Sequence, residues 1–282
     1  MREPITIVGF FAHPDDEILG PGGTLAQAAA GGARVVLVYT TRGEAGEIAA
    51  PELATKETLG QVREAEMRCA ANALGVSELI FLGYRDSGMA GSAENQHPQA
   101  YINAPAGEVI PQLVTIIRQY QPQIVLTFEP FGGYGHPDHI AIHQHTVAAF
   151  HAAGDATAYP ASGPAWQPQR LFYPLLPIFM FEALRDRIAA HGGDVSSFKL
   201  DERREKGWPD DQIHVFSDIG DHVAAKFTAW NCHRTQFGPG SRFRALPEVE
   251  MMQLLGREYF AQAWPIPTYD QRKTSLLADL SN

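Results

Sequence analysis

The sequence is poor in the features that mark disulfide-rich, zinc-ribbon and membrane proteins. Its 282 residues include only two cysteines, Cys69 and Cys232, which are too few for a disulfide framework and lack CxxC spacing. Cys69 lies in a helical pattern and is interpreted as a small core residue. No run reaches the roughly 18 apolar residues of a membrane span, and no basic and then apolar leader opens the chain. We therefore expect a cytoplasmic protein with no membrane partner.

Positive charge is also scarce. The chain has 22 lysines and arginines against 32 aspartates and glutamates, which gives a formal net charge of −10. This balance argues against a surface for nucleic acid or anionic lipid. The hydrophobic fraction of 45% is ordinary for a chain with a real core. The expected partner is therefore a small molecule, with no nucleic acid and no membrane, and a homo-oligomer remains open.

The first 130 residues alternate short apolar runs with helical patterns. Four runs have the composition of strands buried on both faces, at 5–11, 34–41, 77–84 and 123–128. Helical patterns lie between them, at 22–32, 57–75 and 104–122. The alternation predicts an α/β fold that is Rossmann-like, with a mostly parallel, twisted sheet and helices on both faces.

The second half of the chain is less regular. Further predicted elements are a helix at 139–154, strands at 170–176 and 211–219, and a helix at 221–236. Residues 155–170 and 190–210 are rich in proline, glycine and charge and are predicted to be loops. We expect one domain over 1–282, with a core at about 1–153 and a small irregular C-terminal portion at about 154–282 that completes the site.

Two segments place the pattern His-Pro-Asp after a predicted strand. The segment AHPDDE (12–17) follows the first strand, and GHPDH (135–139) lies in the stretch after the fourth. In parallel α/β sheets, ligands bind beyond the carboxyl ends of the strands. Histidine and carboxylate together suit Zn²⁺ or Fe²⁺. A single H-x-x-D is usually only a turn, but the two segments together favour a metal site with two histidines and one aspartate.

Two further histidines follow the second segment. His143 lies four residues after His139 and could pair with it in a metal site. Because no HExxH motif is present, His143 and His145 are interpreted instead as residues of the helix surface.

The two segments resemble those of the PIG-L/LmbE-like family of metal-dependent N-acetylglucosaminyl deacetylases, which includes the deacetylases of mycothiol and bacillithiol biosynthesis. The resemblance extends through four more segments, TRGEAGE (41–47), VREAEMRCAANALGV (62–76), LGYRDSGM (82–89) and NCHRTQ (231–236). The sequence YRDSGM is particularly similar to the mycothiol-type members. Together the segments span most of the chain in the order found in the family.

The resemblance implies roles for individual residues. It implies that the metal, usually Zn²⁺ with Fe²⁺ possible, is bound by His13, Asp16 and His139. Asp15 is implied as the general base. His136 would protonate the leaving amine or stabilise the tetrahedral oxyanion, and Tyr134 would help to polarise the amide carbonyl.

Other positions have outer roles or open ones. The resemblance implies that Arg63 and Asp86 hold sugar hydroxyls and that Asp138 orients an imidazole from outside the ligand set. Glu17 has two interpretations, an acceptor that fixes a ligand imidazole or an acid favoured at a helix N-terminus. His233 could equally pack a helix or contact substrate.

The implied function is a metal-dependent hydrolase that removes the N-acetyl group from an N-acetylglucosamine-containing sugar or glycoside, releasing acetate and a free amine. One alternative keeps the same metal site in an amidase of a thiol S-conjugate. Another is a non-catalytic sugar- or nucleotide-binding Rossmann module with a structural metal, which is disfavoured because structural zinc sites prefer cysteine-rich ligation. The aglycone, whether inositol, malate, lipid or none, is not determined by these residues.

Overall fold

A seven-stranded sheet forms the centre of the computed structural model, which describes residues 4–196, 198–267 and 272–280. The strands are β1 (Thr6–Phe11), β2 (Arg34–Tyr39), β3 (Glu78–Phe81), β4 (Ile124–Leu126), β5 (Arg170–Leu175), β6 (Val215–Asp218) and β7 (Arg257–Trp264). They lie in the order β3-β2-β1-β4-β5-β7-β6. β1 to β5 pair in parallel, whereas β7 runs antiparallel to both of its neighbours, β5 and β6. The predicted α/β class and mostly parallel sheet are confirmed.

Helices cover both faces of this sheet. Within the described ranges they are α1 (Asp16–Leu19), α2 (Gly22–Ala30), α3 (Leu59–Ala73), α4 (Ala106–Tyr120), α5 (Gly132–Gly135), α6 (Pro137–Gly154), α7 (Ile178–Ala190), α8 (Leu200–Lys206), α9 (Val223–Cys232), α10 (Arg234–Phe237) and α11 (Glu248–Leu255). None of them, in the part of the chain described, is long and apolar enough to cross a bilayer.

The core consists of two apolar layers, one on each face of the sheet. Alternate side chains of β1 enter opposite layers, Ile7 and Phe11 on one side and Val8 and Phe10 on the other. Residues of α2, α3 and α9 complete the first layer, and residues of α4 and α6 complete the second. An uncharged run such as β1 is what a strand buried on both faces requires. The sheet is thereby fixed between two helical layers, and its carboxyl edge is left for polar loops.

The C-terminal half contains more regular structure than was predicted in three places. A helix, α8, lies inside the expected loop at 190–210, and neither α7 nor β7 was predicted. The expected helix at 221–236 breaks at His233, whose backbone φ of −80° and ψ of 61° separate α9 from α10. The strands β5, β6 and β7 join the same sheet as β1 to β4. Residues before and after position 154 therefore share one sheet.

The two cysteines are bonded to each other, so the prediction that Cys69 is a simple core residue was wrong. Cys69 on α3 and Cys232 at the end of α9 form a disulfide, with their Cα atoms 5.8 Å apart. The sequence pattern could not reveal the bond, because the partners are 163 positions apart and only the packing of α3 against α9 brings them together. The disulfide ties the two helices on one face of the sheet.

Replacing both cysteines by serine is expected to lower the free energy of unfolding by about 2–5 kcal/mol. The bond closes a long loop, and without it the unfolded chain gains conformational freedom. Urea unfolding of the oxidised protein and of the Cys69→Ser/Cys232→Ser variant measures the difference. An unchanged midpoint and slope would show that the bond contributes nothing to stability.

Candidate active site

Two loops meet at the carboxyl edge of the sheet above β1 and β4, which are parallel neighbours. The AHPDDE segment follows β1, and a glycine-rich loop followed by α6 comes after β4. Nδ1 of His13 lies 3.1 Å from Nε2 of His139, although the residues are 126 positions apart in the chain. Both imidazoles are almost fully buried. The structure thus brings the two His-Pro-Asp segments together as the sequence predicted.

The three predicted metal ligands direct their donor atoms to one point. Besides the 3.1 Å between the imidazoles, Asp16 Oδ1 lies 3.3 Å from His139 Nε2 and Asp16 Oδ2 lies 3.9 Å from His13 Nδ1. Donors bonded at about 2.0–2.2 Å to a tetrahedral zinc ion lie roughly 3.3–3.5 Å apart. The separations of 3.1 Å and 3.3 Å are close to that geometry, whereas the 3.9 Å separation is measured to Oδ2, the oxygen that accepts backbone N–H groups. The ligand atoms of His13, His136 and His139 also lie within 4.8 Å of one another, as do those of His13, Asp86 and Asp138.

The hydrogen bonds of the two imidazoles leave a lone pair on each nitrogen that faces the site. His139 Nδ1 lies 3.0 Å from the carbonyl oxygen of Gly132, which can only accept, so this nitrogen carries the proton. His13 Nε2 lies 3.2 Å from Asp138 Oδ2 and donates to that carboxylate. When both rings are neutral, the remaining nitrogens of His13 and His139 therefore face each other as acceptors. A cation between them satisfies both, which is the donor chemistry that a bound metal requires.

Asp16 divides its two oxygens between the turn and the site. Oδ2 accepts the backbone N–H groups of Ala12 at 3.0 Å and His13 at 2.7 Å, and Oδ1 is turned toward His139. Burial opposes the ionisation of this carboxyl, but the charges and hydrogen bonds of His139 and His13 outweigh burial and lower the pKa of Asp16 to about 2. Asp16 is thus held as a carboxylate with one oxygen available to a cation.

Asp15 turns away from Asp16 and contacts a different partner. Its Oδ2 accepts a hydrogen bond from Arg63 Nη2 at 3.0 Å. Burial raises the pKa of Asp15 to about 6, assisted by the charges of Asp16 and Glu17 and opposed by that of Arg63. At neutral pH the group is therefore a carboxylate, yet one that accepts a proton more readily than an exposed aspartate does. This suits a general base.

His136 lies against both imidazoles of the site. Its ring centroid is 4.6 Å from that of His13 and 5.1 Å from that of His139. The backbone N–H of Asp138 donates to His136 Nδ1 at 3.2 Å, so in the neutral ring the proton is on Nε2. Burial and the two neighbouring imidazoles lower the pKa of His136 to about 2. A neutral His136 is a hydrogen-bond donor and not a ready source of a proton.

Tyr134 stands over the cluster on a loop built from glycines. Its ring centroid lies 5.0 Å from that of His139, and the residue is 52% exposed. Gly132 and Gly133, which precede it, have φ of 70° and 75°, values that favour glycine. The carboxylate of Glu129 accepts the N–H of Gly133 at 2.7 Å, and this hydrogen bond stabilises the loop. The loop thus presents a phenol at the mouth of the site.

The two predicted sugar ligands lie deeper than that role suggests. Arg63 is buried and donates to the carbonyls of Gly43 and Pro14 as well as to Asp15, while its Nε has no hydrogen-bond partner in the described chain. Asp86 is also buried, and its Oδ1 lies 3.4 Å from His13 Nε2. Sugar binding by either residue stays a prediction, supported for Arg63 only by that free N–H.

Asp138 occupies the position expected of a residue that orients an imidazole. Its Oδ2 accepts from His13 Nε2 and from the backbone N–H of Ser87, and the residue is fully buried. In contrast, His143 Nδ1 donates to the carbonyl of Phe128 at 2.7 Å and takes no part in the histidine cluster. Asp138 therefore holds the His13 imidazole by a hydrogen bond, whereas His143 links α6 to the backbone that follows β4.

One buried group was missed by the role assignments. Glu17 is fully buried and accepts hydrogen bonds from His233 Nε2 and from the Tyr39 hydroxyl, each at 2.7 Å. Glu17 does lie in the first turn of α1, as one interpretation expected, but its carboxylate is buried, and the imidazole that it fixes is that of His233 and not of a predicted ligand. The sequence signal for His233 was the resemblance of the NCHRTQ segment to the family. That resemblance did not indicate which residue His233 would contact.

The chain matches known proteins along most of its length. The model of the family described as PIG-L, GlcNAc-PI de-N-acetylase, matches residues 8–150, which include both His-Pro-Asp segments. This chain belongs to that family. The 1D-myo-inositol 2-acetamido-2-deoxy-alpha-D-glucopyranoside deacetylase of Geodermatophilus obscurus is 36% identical over 260 residues, covering 88% of each protein. The protein of the same name from Actinosynnema mirum is 39% identical over 278 residues, covering 93% of each.

The fold is shared with solved structures. The N,N'-diacetylchitobiose deacetylase from Pyrococcus horikoshii aligns with a TM-score of 0.61 at 19% identity, over 94% of this chain and 88% of that one. At this identity the match supports the fold alone. The family and its class of enzyme, an N-deacetylase, are those that the sequence motifs predicted.

Proposed function

We propose that this protein removes the N-acetyl group of an N-acetylglucosaminyl inositol or a closely related glycoside and releases acetate and a free amine. The names of relatives that match over most of the chain support this substrate class. The observation that carries the proposal is the convergence of His13, Asp16 and His139 within 3.1–3.9 Å, with Asp15 outside the ligand set beside them.

We propose Zn²⁺ as the metal, with Fe²⁺ as the second choice, because two imidazoles and one carboxylate suit both ions. His13 Nδ1, His139 Nε2 and Asp16 Oδ1 would hold it. When bound, the cation supplies Lewis-acid polarisation of water and of the amide carbonyl. The protein's own part is to present three donors with fixed orientation, which Asp138, Gly132 and the backbone at His13 secure by hydrogen bonds.

Asp15 takes the proton of the attacking water in this mechanism. Its pKa of about 6 makes it ionised at neutral pH and able to hold a proton briefly. The same proton is then returned to the nitrogen of the leaving amine, so the carboxylate ends the cycle as it began. Arg63 keeps the carboxylate in place through the 3.0 Å contact to Oδ2.

His136 and Tyr134 act on the other side of the reacting carbonyl. Since His136 is neutral with its proton on Nε2, its role is to donate a hydrogen bond to the developing oxyanion. Of the two roles implied for this residue, oxyanion stabilisation is therefore proposed and amine protonation is assigned to Asp15. Tyr134, on its glycine loop over the cluster, adds a second donor when the substrate is bound.

The remaining expectations are proposals as well. One domain over the whole chain is supported by the single sheet that both halves share. The cytoplasmic location remains a prediction. The disulfide between Cys69 and Cys232 argues against it, because such bonds are rare in a reducing cytosol. No oligomeric state is proposed.

The proposal is tested by measuring acetate and primary amine released from N-acetylglucosaminyl inositol by the protein loaded with Zn²⁺ or with Fe²⁺. Release of both products in equal amounts, lost on chelation and regained on adding metal, is the expected result. Free N-acetylglucosamine and a thiol S-conjugate amide serve as comparison substrates. Turnover of the S-conjugate alone would favour the amidase, and tight binding of the glycoside without acetate release would favour the non-catalytic module.

A further inference from the structure

A buried carboxylate lies directly behind the proposed base and is not used by the mechanism. Glu17 accepts from His233 Nε2 through Oε1 and from the Tyr39 hydroxyl through Oε2, both at 2.7 Å. Oε2 also accepts the backbone N–H of Asp15 at 3.2 Å. Glu17 and His233 are completely buried. Burying an ionisable pair costs free energy unless hydrogen bonds compensate for the lost hydration. The groups bonded to this pair, including the backbone of Asp15, indicate what it stabilises.

The backbone that Glu17 holds is in an unusual conformation. Asp15 has φ of 107° and ψ of −15°, in the left-handed region that side chains other than glycine rarely adopt. The carbonyl of Asp15 accepts the N–H of Ile18 at 3.0 Å, which starts the short helix α1. On the opposite side, Arg63 donates to the Pro14 carbonyl and to the Asp15 carboxylate. The turn is therefore clamped between Arg63 and Glu17.

We propose that Glu17, held by His233 and Tyr39, is a positioning residue that fixes the left-handed turn at Asp15 and thereby sets the directions of the adjacent Asp15 and Asp16 carboxylates. The turn is what lets two neighbouring aspartates diverge, with Asp15 facing Arg63 and Asp16 facing His139. If the backbone of Asp15 left this left-handed conformation, the carboxylates of Asp15 and Asp16 would both change direction. This inference rests on the proposed function of the site.

The hydrogen bonds at position 17 require a carboxylate and not an amide. A carboxylate can only accept, so the His233 imidazole donates to Glu17 through Nε2, while its Nδ1 has no partner in the described chain. Glu17 thus receives three donors on two oxygens, from His233, Tyr39 and Asp15. A glutamine of the same shape has only one accepting oxygen, and its amide must then face either the imidazole donor or the two donors on the other side. The helix is interrupted at His233, between α9 and α10, and the imidazole of this residue points into the protein toward Glu17.

Glu17→Gln is expected to lower kcat about 10–100-fold and to weaken metal binding about 10-fold, as loss of a partner outside the ligand set commonly does. KM is expected to change little, since no substrate contact is removed. Tyr39→Phe, which deletes one donor to the same carboxylate, is expected to shift kcat and metal affinity in the same direction by a smaller factor. Metal affinity is measured by competition with a chromophoric chelator, and kcat and KM by amine release.

A matched control exists elsewhere in the chain. Glu258 is a buried carboxylate that also receives three donors, from Lys226 at 2.6 Å and from the backbone N–H groups of Gly23 and Thr24. None of these three donors belongs to the AHPDDE segment. Glu258→Gln is expected to lower the melting temperature without changing kcat or metal affinity of the folded protein.

The outcomes separate a positioning role from a structural one. Parent values of kcat and metal affinity in Glu17→Gln, with only a fall in melting temperature like that of Glu258→Gln, would overturn the inference. If Glu17→Gln does not fold, Tyr39→Phe decides in the same way. If the parent protein releases no acetate, the proposed function fails, whereas the metal-affinity comparison still tests the role of Glu17.

Discussion

His13→Ala is expected to yield a folded protein that binds no stoichiometric metal and has no measurable hydrolytic activity. His13 supplies one of three converging donors, and its removal leaves Asp16 and His139 as an incomplete pair. The loss should exceed the roughly 10–100-fold effect of removing a partner outside the ligand set. Elemental analysis of protein purified without added metal gives the metal content, and amine release from N-acetylglucosaminyl inositol gives the activity.

His143→Ala is the matched control. This histidine lies on the same helix, α6, one turn beyond His139, but its Nδ1 donates to the Phe128 carbonyl and not to the cluster. It should keep parent metal content and activity. A His13→Ala protein that still carries one metal ion per chain would refute the proposed ligand set, and it would equally exclude a site formed by His13, His136 and His139.

The main features of the fold were predictable because they depend on local composition. An uncharged run such as β1 is buried on both faces and has no other stable position than the middle of a sheet. The strand β7 escaped prediction because its buried segment Glu258–Gln262 begins with a glutamate and ends with a glutamine. It is therefore neither an uncharged run nor an alternating one, and only Gly256 separates it from α11. Its antiparallel place between β5 and β6 is decided by pairing across the sheet, which the local sequence does not encode.

The candidate site divides in the same way. The placement of both His-Pro-Asp segments after predicted strands, together with the family resemblance, predicted that His13 and His139 meet, and the structure shows that these strands, β1 and β4, are parallel neighbours. The support behind them was not predictable, since Glu17 and His233 are 216 positions apart and neither forms a recognisable local motif with the other. The burial of Arg63 against the AHPDDE turn likewise depends on how α3 packs. Short motifs thus predict which groups react, whereas the groups that hold them require the folded chain.

Asp15→Asn is expected to reduce kcat about 10²–10⁴-fold while metal content stays at the parent value. Asparagine is the informative replacement because it tolerates the left-handed backbone at this position, φ of 107°, better than alanine does. It keeps the shape of the side chain and removes the ability to take a proton from water. The parent rate should fall as the pH drops below about 6, because protonation of Asp15 removes the base, and the variant should lack this dependence. Steady-state kinetics over pH, with metal analysis of the same samples, provides the measurement.

The two outcomes together distinguish base from ligand, because His13→Ala loses metal and rate whereas Asp15→Asn loses only rate. A parent rate in Asp15→Asn would mean that another group takes the proton. The other buried carboxylates nearby are poorly suited to that task. Asp138 accepts from His13 and from Ser87, and Asp86 accepts the N–H groups of Ala45 and Gly88 while facing His13. Asp86 would have to give up a hydrogen bond to receive a proton, and Asp138 is fully buried and bonded to the far nitrogen of His13, which leaves Asp15 as the carboxylate whose pKa and position both suit the step.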